Sequence, residues 1–195
     1  MNRPTWDQLY MTMCYLVSMR SQDRSTHAGT VIVAPDHTIR SIGYNDFPRG
    51  IEAEGNLGED DLPSRRSRIE GEKYKWTEHS ERNAIYNAGR NGVSLIGCTL
   101  YVNWLPCVDC ARSIIQAGIT KVVIHKQGQE AFDANSGATH TWTDSHDMVW
   151  QMMVEAGLTV QWFTKPMIET ITALFNGEEL VFDEESNTWW DGRLA

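Results

Sequence analysis

Two short stretches constrain this chain more than any property of its whole length. Residues 77–86 read TEHSERNAIY and residues 104–113 read WLPCVDCARS. In the first, His79 and Glu81 stand two apart where an apolar rhythm of helical spacing begins. In the second, Cys107 and Cys110 follow Pro106 at the start of another helix. A chain that places such side chains at two helix starts gains from bringing both N-termini to one point. There the peptide dipoles favour negative charge, and thiols lose their protons more readily.

The rest of the chain supplies elements able to do this. Residues 5–20 carry apolar side chains at helical spacing, with Thr5 and Gln8 as a capping box. GTVIVA (29–34) and TIRSIGYN (38–45) read as a hairpin. Residues 46–76 form a long polar connection, of the kind that is usually functional or mobile. Helices are expected over 79–90, 107–117 and 144–156, and strands over 98–104, 121–125 and 158–163. A polar loop is expected from Lys126 to about Thr143. Helices alternating with short strands predict an α/β fold, one sheet of at least five strands covered by helices. Residues 1–165 are expected to form this domain. Residues 166–195 read as an extension: a short helix, a turn and strand at NGEELVF, and TWWDG.

One histidine and two cysteines make three zinc ligands: His79, Cys107 and Cys110. Three protein ligands leave a fourth tetrahedral position for water, the mark of a catalytic zinc rather than a structural one. Glu81, two residues from a ligand, is placed to move protons beside that water. A lone Cys-x-x-Cys could be a redox pair, and a lone His-x-Glu is commonly an accident. Together, with Cys107 placed 28 positions after His79, they match the signature of zinc deaminases. A closed four-ligand site would need another cysteine pair. Cys14 and Cys98 stand singly and read as core thiols.

Composition narrows the class. Apolar residues make up 41% and charged residues 22%, with net charge −9. That is globular composition, and its acidity counts against a polynucleotide as partner. No apolar run approaches a membrane span and no secretory signal is visible. The expectation is a cytoplasmic protein whose Cys-x-x-Cys binds metal rather than forming a disulfide.

At these residues the chain resembles the cytidine deaminase superfamily, and within it the deoxycytidylate deaminase branch. HSERNAI resembles that branch's His-Ala-Glu-x-Asn-Ala-Ile, with Ser80 in place of alanine. PCVDCARSIIQAGITKVV and IGYNDFPRG resemble two further stretches, and the likeness covers about residues 8–165. It implies a three-layer αβα sandwich on a five-stranded mixed sheet, zinc on His79, Cys107 and Cys110, Glu81 as proton shuttle, and Asn45 hydrogen-bonded to the substrate sugar. It also implies a homo-oligomer, often a hexamer, with dCTP as activator and dTTP as inhibitor. Asp46 stands where the branch has glycine, which counts against inheriting those effectors; alternatively it caps a turn.

A nucleotide substrate needs a counter-charge and a surface for its base. Arg65, Arg66 and Lys73 lie in the cationic run RRSRIEGEKYK and suit a phosphate; the alternative is a solvated charge run. Trp142 would close over a base or anchor its own loop. The leading expectation is hydrolysis of dCMP to dUMP and ammonia. The alternatives are a deaminase of another nucleobase, nucleoside or modified cytosine nucleotide, a polynucleotide-editing deaminase, and a non-catalytic zinc-binding partner protein.

Overall fold

A computed structural model describes residues 3–23, 26–51, 73–135, 146–168, 173–175, 178–183 and 188–190. Helix α1 (Trp6–Ser18) begins at the expected box: Thr5 Oγ1 accepts from the Gln8 N–H at 3.3 Å, and Gln8 Oε1 accepts from the Thr5 N–H at 3.0 Å. Strands β1 (Gly29–Val33) and β2 (Ile39–Tyr44) form the hairpin. Then come α2 (Lys73–Trp76), α3 (Ser80–Arg90), β3 (Thr99–Val102), α4 (Val108–Gln116), β4 (Lys121–His125), α5 (Lys126–Asn135), α6 (His146–Glu155) and β5 (Thr159–Phe163).

The sheet runs β2-β1-β3-β4-β5. β1 is antiparallel to β2 and β3, and β3, β4 and β5 are parallel. The expected mixed α/β sandwich is the fold. Strand alternation builds its layers. Val31, Val33, Tyr101 and Val123 face Tyr10, Met11 and Cys14 of α1. Ile32, Leu100, Val102, Val122 and Ile124 face the opposite way, towards α3, α4 and α6. Because both faces are covered, the inner strands are buried along almost their whole length.

Two glycines let helices approach the sheet backbone directly. A Cβ on Gly29 would lie 1.9 Å from the Cys14 carbonyl oxygen of α1. One on Gly43 would lie 2.3 Å from the Ser80 oxygen and 2.4 Å from the Ala84 nitrogen of α3. Gly43 thus seats the first turn of α3, and with it the helix start that carries His79, against β2.

The structure departs from the sequence expectation in three places. Lys126–Asn135 is helix α5, not loop. Its residues are mostly polar and carry no apolar stripe, so periodicity misses it; tertiary contacts hold it. Buried Gln129 accepts a hydrogen bond from the Leu105 N–H at 2.7 Å, and Phe132 stacks on Trp104 at 5.3 Å. The long connection contains α2. The described residues after 168 form β6 (Ala173–Phe175), β7 (Glu178–Asp183) and β8 (Thr188–Trp190). These pair antiparallel in a sheet of their own, and the short helix expected in the extension is not among the described residues. Among the described residues, no helix is long and apolar enough to cross a membrane.

Candidate metal and catalytic centre

His79 is the N-cap of α3 (φ −76°, ψ 154°) and Cys107 the N-cap of α4 (φ −71°, ψ 170°). Neither side chain caps its own helix; they converge instead. His79 Nδ1 lies 3.4 Å from Cys107 Sγ and 3.6 Å from Cys110 Sγ. Among the described residues, these three form the single group able to hold a metal ion, with ligand atoms all within 4.8 Å of one another.

The donor set fits zinc. With Zn–S near 2.3 Å and Zn–N near 2.05 Å, the N···S edge of a tetrahedron is about 3.6 Å, the spacing seen here. The charges agree. The hydrogen bond from Cys110, with the nearby His79, pulls the Cys107 thiol down to about 4 against the opposing effect of burial. That same hydrogen bond, together with burial, pushes Cys110 well above the ordinary thiol value. Burial works to lower His79, but Cys107 and the Glu81 charge outweigh it and raise the imidazole. The three groups are tightly coupled, and a divalent cation held by them would displace their protons.

Glu81 lies in the first turn of α3, 5% exposed. Its Oε2 accepts from Ser80 Oγ at 3.0 Å. Burial raises its pKa, opposed by His79, which suits a carboxyl group that must take up and release a proton.

Charged residues brace the two helix starts. Glu78 Oε1 accepts from the His79 N–H at 3.2 Å and pairs with Arg82. Arg82 also reaches Asp109, between the two cysteines, at 3.5 Å. Asp46 and Glu78 form a two-way backbone bridge, 3.1 and 2.8 Å, which ties the GYN stretch to the residue before His79.

The remaining candidates fall differently. Asn45 is buried, with its carboxamide engaged by protein. Its Oδ1 accepts from the Ala28 N–H at 2.7 Å, and its Nδ2 donates to the Thr26 carbonyl at 2.8 Å and to Asp23 Oδ2 at 3.2 Å. Asp46 keeps a negative φ, and its Oδ1 accepts from the Phe47 N–H at 2.8 Å, the turn-capping alternative. Arg65, Arg66 and Trp142 lie outside the described residues, as does the side chain of Lys73 at the start of α2. Sequence reasoning did not find Thr30, which lies 2.9 Å from Ser80; the serine itself was visible, but its partner 50 residues away was not.

This fold and site define a zinc-binding deaminase domain. Residues 4–126 match the family model for the cytidine and deoxycytidylate deaminase zinc-binding region, and the chain belongs to that family. It is 38% identical to the human deoxycytidylate deaminase over 120 residues, 60% of this chain and 63% of that protein. The chain thus spans a little under two thirds of that relative's length. It is 31% identical over 185 residues to ComE operon protein 2 of Bacillus subtilis, covering 93% of this chain and 82% of the relative. In fold it resembles the dCMP deaminase of cyanophage S-TIM5, solved with dCMP and dUMP. There the TM-score is 0.57 at 21% identity, over 84% of this chain and all of the other.

Proposed function

We propose that this protein hydrolyses dCMP to dUMP and ammonia with zinc at His79, Cys107 and Cys110. One observation carries the reading: a buried carboxyl group, Glu81, stands beside a set of three metal ligands without belonging to it. A scaffold needs the ligands and has no use for a buried acid. Zinc held by His79, Cys107 and Cys110 would supply Lewis-acid chemistry, lowering the pKa of a water able to attack C4 of the cytosine. Glu81 takes a proton from that water and delivers it to N3. It then carries the water's second proton to the 4-amino group, which leaves as ammonia. Phe132 stacks on Trp104, three residues before Cys107.

In the same proposal Arg65, Arg66 and Lys73 bind the 5′-phosphate. Asn45 holds the Thr26–Ala28 segment in place, and the remaining lone pair of Oδ1 faces the sugar. Trp142 covers the base. Residues 1–165 carry the activity and 166–195 form an appended unit, a division supported by the separate β6-β7-β8 sheet. We take the protein to be cytoplasmic and homo-oligomeric; the turn-capping role of Asp46 leaves dCTP and dTTP as candidate effectors.

Ammonia release across a panel of cytosine, adenine and guanine nucleosides and nucleotides tests the reading. dCMP should be the preferred substrate. Preference for deoxycytidine would replace it with a nucleoside deaminase, and preference for a purine with the deaminase of another nucleobase.

A further inference from the structure

Thr30, Ser80 and Glu81 form a hydrogen-bonded row inside the site. Ser80 Oγ donates to Glu81 Oε2 at 3.0 Å, and Thr30 Oγ1 lies 2.9 Å from Ser80 Oγ. Neither hydroxyl residue has exposed surface. A serine hydroxyl has one proton to give. Ser80 gives it to the carboxylate, so Thr30 must donate to Ser80. The row is therefore polarised one way, from β1 towards Glu81. In a dry surrounding each bond of such a row strengthens the next.

The row links two elements distant in sequence. Thr30 is on β1, hydrogen-bonded in the sheet between β2 and β3. Ser80 opens α3, at the point where Gly43 brings that helix onto the sheet. The resembled motif carries alanine at position 80, so this hydroxyl is a feature of this chain and not a requirement of the metal.

We infer that Ser80, itself held by Thr30, is a positioning residue for Glu81, gripping Oε2 so that Oε1 carries the proton. A carboxylate with both oxygens loose would sample several rotamers, and only some of these would reach both the water and the base. Fixing one oxygen removes that search and contributes to turnover rather than to substrate binding. The inference rests on the reading of Glu81 as proton carrier.

The test is steady-state deamination of dCMP by Ser80→Ala, Thr30→Val, the double variant and Ser80→Thr, each with its zinc content and melting temperature. Glu81→Gln serves as the control for the underlying reading. Loss of a hydrogen bond to a carboxylate predicts kcat down roughly 5–50-fold for Ser80→Ala, with KM within about two-fold. Thr30→Val, nearly isosteric, should cost roughly 2–10-fold. The double variant should be no slower than Ser80→Ala, because Thr30 acts through Ser80. Ser80→Thr returns the hydroxyl and should restore most of the rate. Unchanged kcat in Ser80→Ala and Thr30→Val beside an inactive Glu81→Gln overturns the inference and leaves the deaminase reading standing. Additive losses in the double variant, or losses that track zinc content, also overturn it. An active Glu81→Gln would remove the proton carrier and this inference with it.

Discussion

Asp46 and Glu78 hydrogen-bond each other in both directions through their backbones, at 3.1 and 2.8 Å. This bridge joins the end of the GYN stretch to the residue before the metal-binding histidine. The chain between the two runs through the whole 46–76 connection, so the bridge fixes both ends of that excursion beside the site. Asp46 makes this bridge through its backbone, while its side chain caps the following residue.

Asp46→Gly therefore tests whether the departure from the family glycine matters. The residue has a negative φ, so glycine's wider freedom is not needed. Glycine removes the cap on the Phe47 N–H and adds entropy to the unfolded chain, at about 0.5–1 kcal/mol. Melting temperature should fall slightly while dCMP turnover stays within about two-fold. A large rise in turnover, or new inhibition by dTTP in the variant alone, would show that the aspartate side chain governs the site.

Gly43→Ala should be far more harmful. Its Cβ would meet backbone atoms of α3 at 2.3 and 2.4 Å, and no side-chain rotation relieves that. Overpacking of this kind costs about 1–3 kcal/mol, and the shift falls on the helix start that carries His79. Calorimetry and zinc analysis should show lower stability together with lower zinc content. Full zinc at wild-type stability would mean that α3 is not seated by this contact.

Zinc binding should release protons and weaken as pH falls. Cys107 is already a thiolate above about 4, so it gives up none at neutral pH. Cys110, raised well above its ordinary value, must lose one, and the raised His79 loses a fraction more. Titration calorimetry in two buffers of different ionisation heat should report about one to two protons released per zinc at pH 7. Chelators should strip the metal faster as pH drops through the range where His79 gains its proton. Binding without proton release would contradict the assigned ligand set.

Glu81→Gln should keep zinc and fold but lose turnover by about 10²–10⁴-fold. The amide fills the same space and still accepts from Ser80, but cannot carry a proton at neutral pH. Metal analysis and kcat for dCMP separate the two. A variant with more than about a tenth of wild-type activity would end the shuttle assignment.

Arg65→Ala, Arg66→Ala and Lys73→Ala address the phosphate. One charge-assisted contact is worth about 1.5–3 kcal/mol, so losing it should raise KM for dCMP roughly 10–150-fold. The phosphate is remote from C4 and is held alike before and during reaction, so kcat should change little. KM for deoxycytidine, which has no phosphate, should not respond. If all three variants handle dCMP as the wild type does, the run is a solvated charge segment.

The group of His79, Cys107 and Cys110 that could hold a metal, the buried acid, the capped first helix and the five strands of the sheet were legible in the sequence because each has a local signal. A proline before Cys-x-x-Cys, a capping box and short β-branched runs bounded by turn residues depend on neighbours within one or two turns of chain. Tertiary structure decided the rest. α5 has no apolar stripe of its own and exists through Gln129 and Phe132, whose partners are Leu105 and Trp104. The carboxamide of Asn45 is hydrogen-bonded to Ala28, Thr26 and Asp23, which no spacing rule reveals. β6, β7 and β8 choose one another over the main sheet. Ser80 was readable as a substitution, but its work depends on Thr30, brought to it across 50 residues by the packing of α3 on the hairpin. A hydrogen bond between groups so far apart in sequence leaves no periodicity behind; it forms only when burial forces two hydroxyls to find each other.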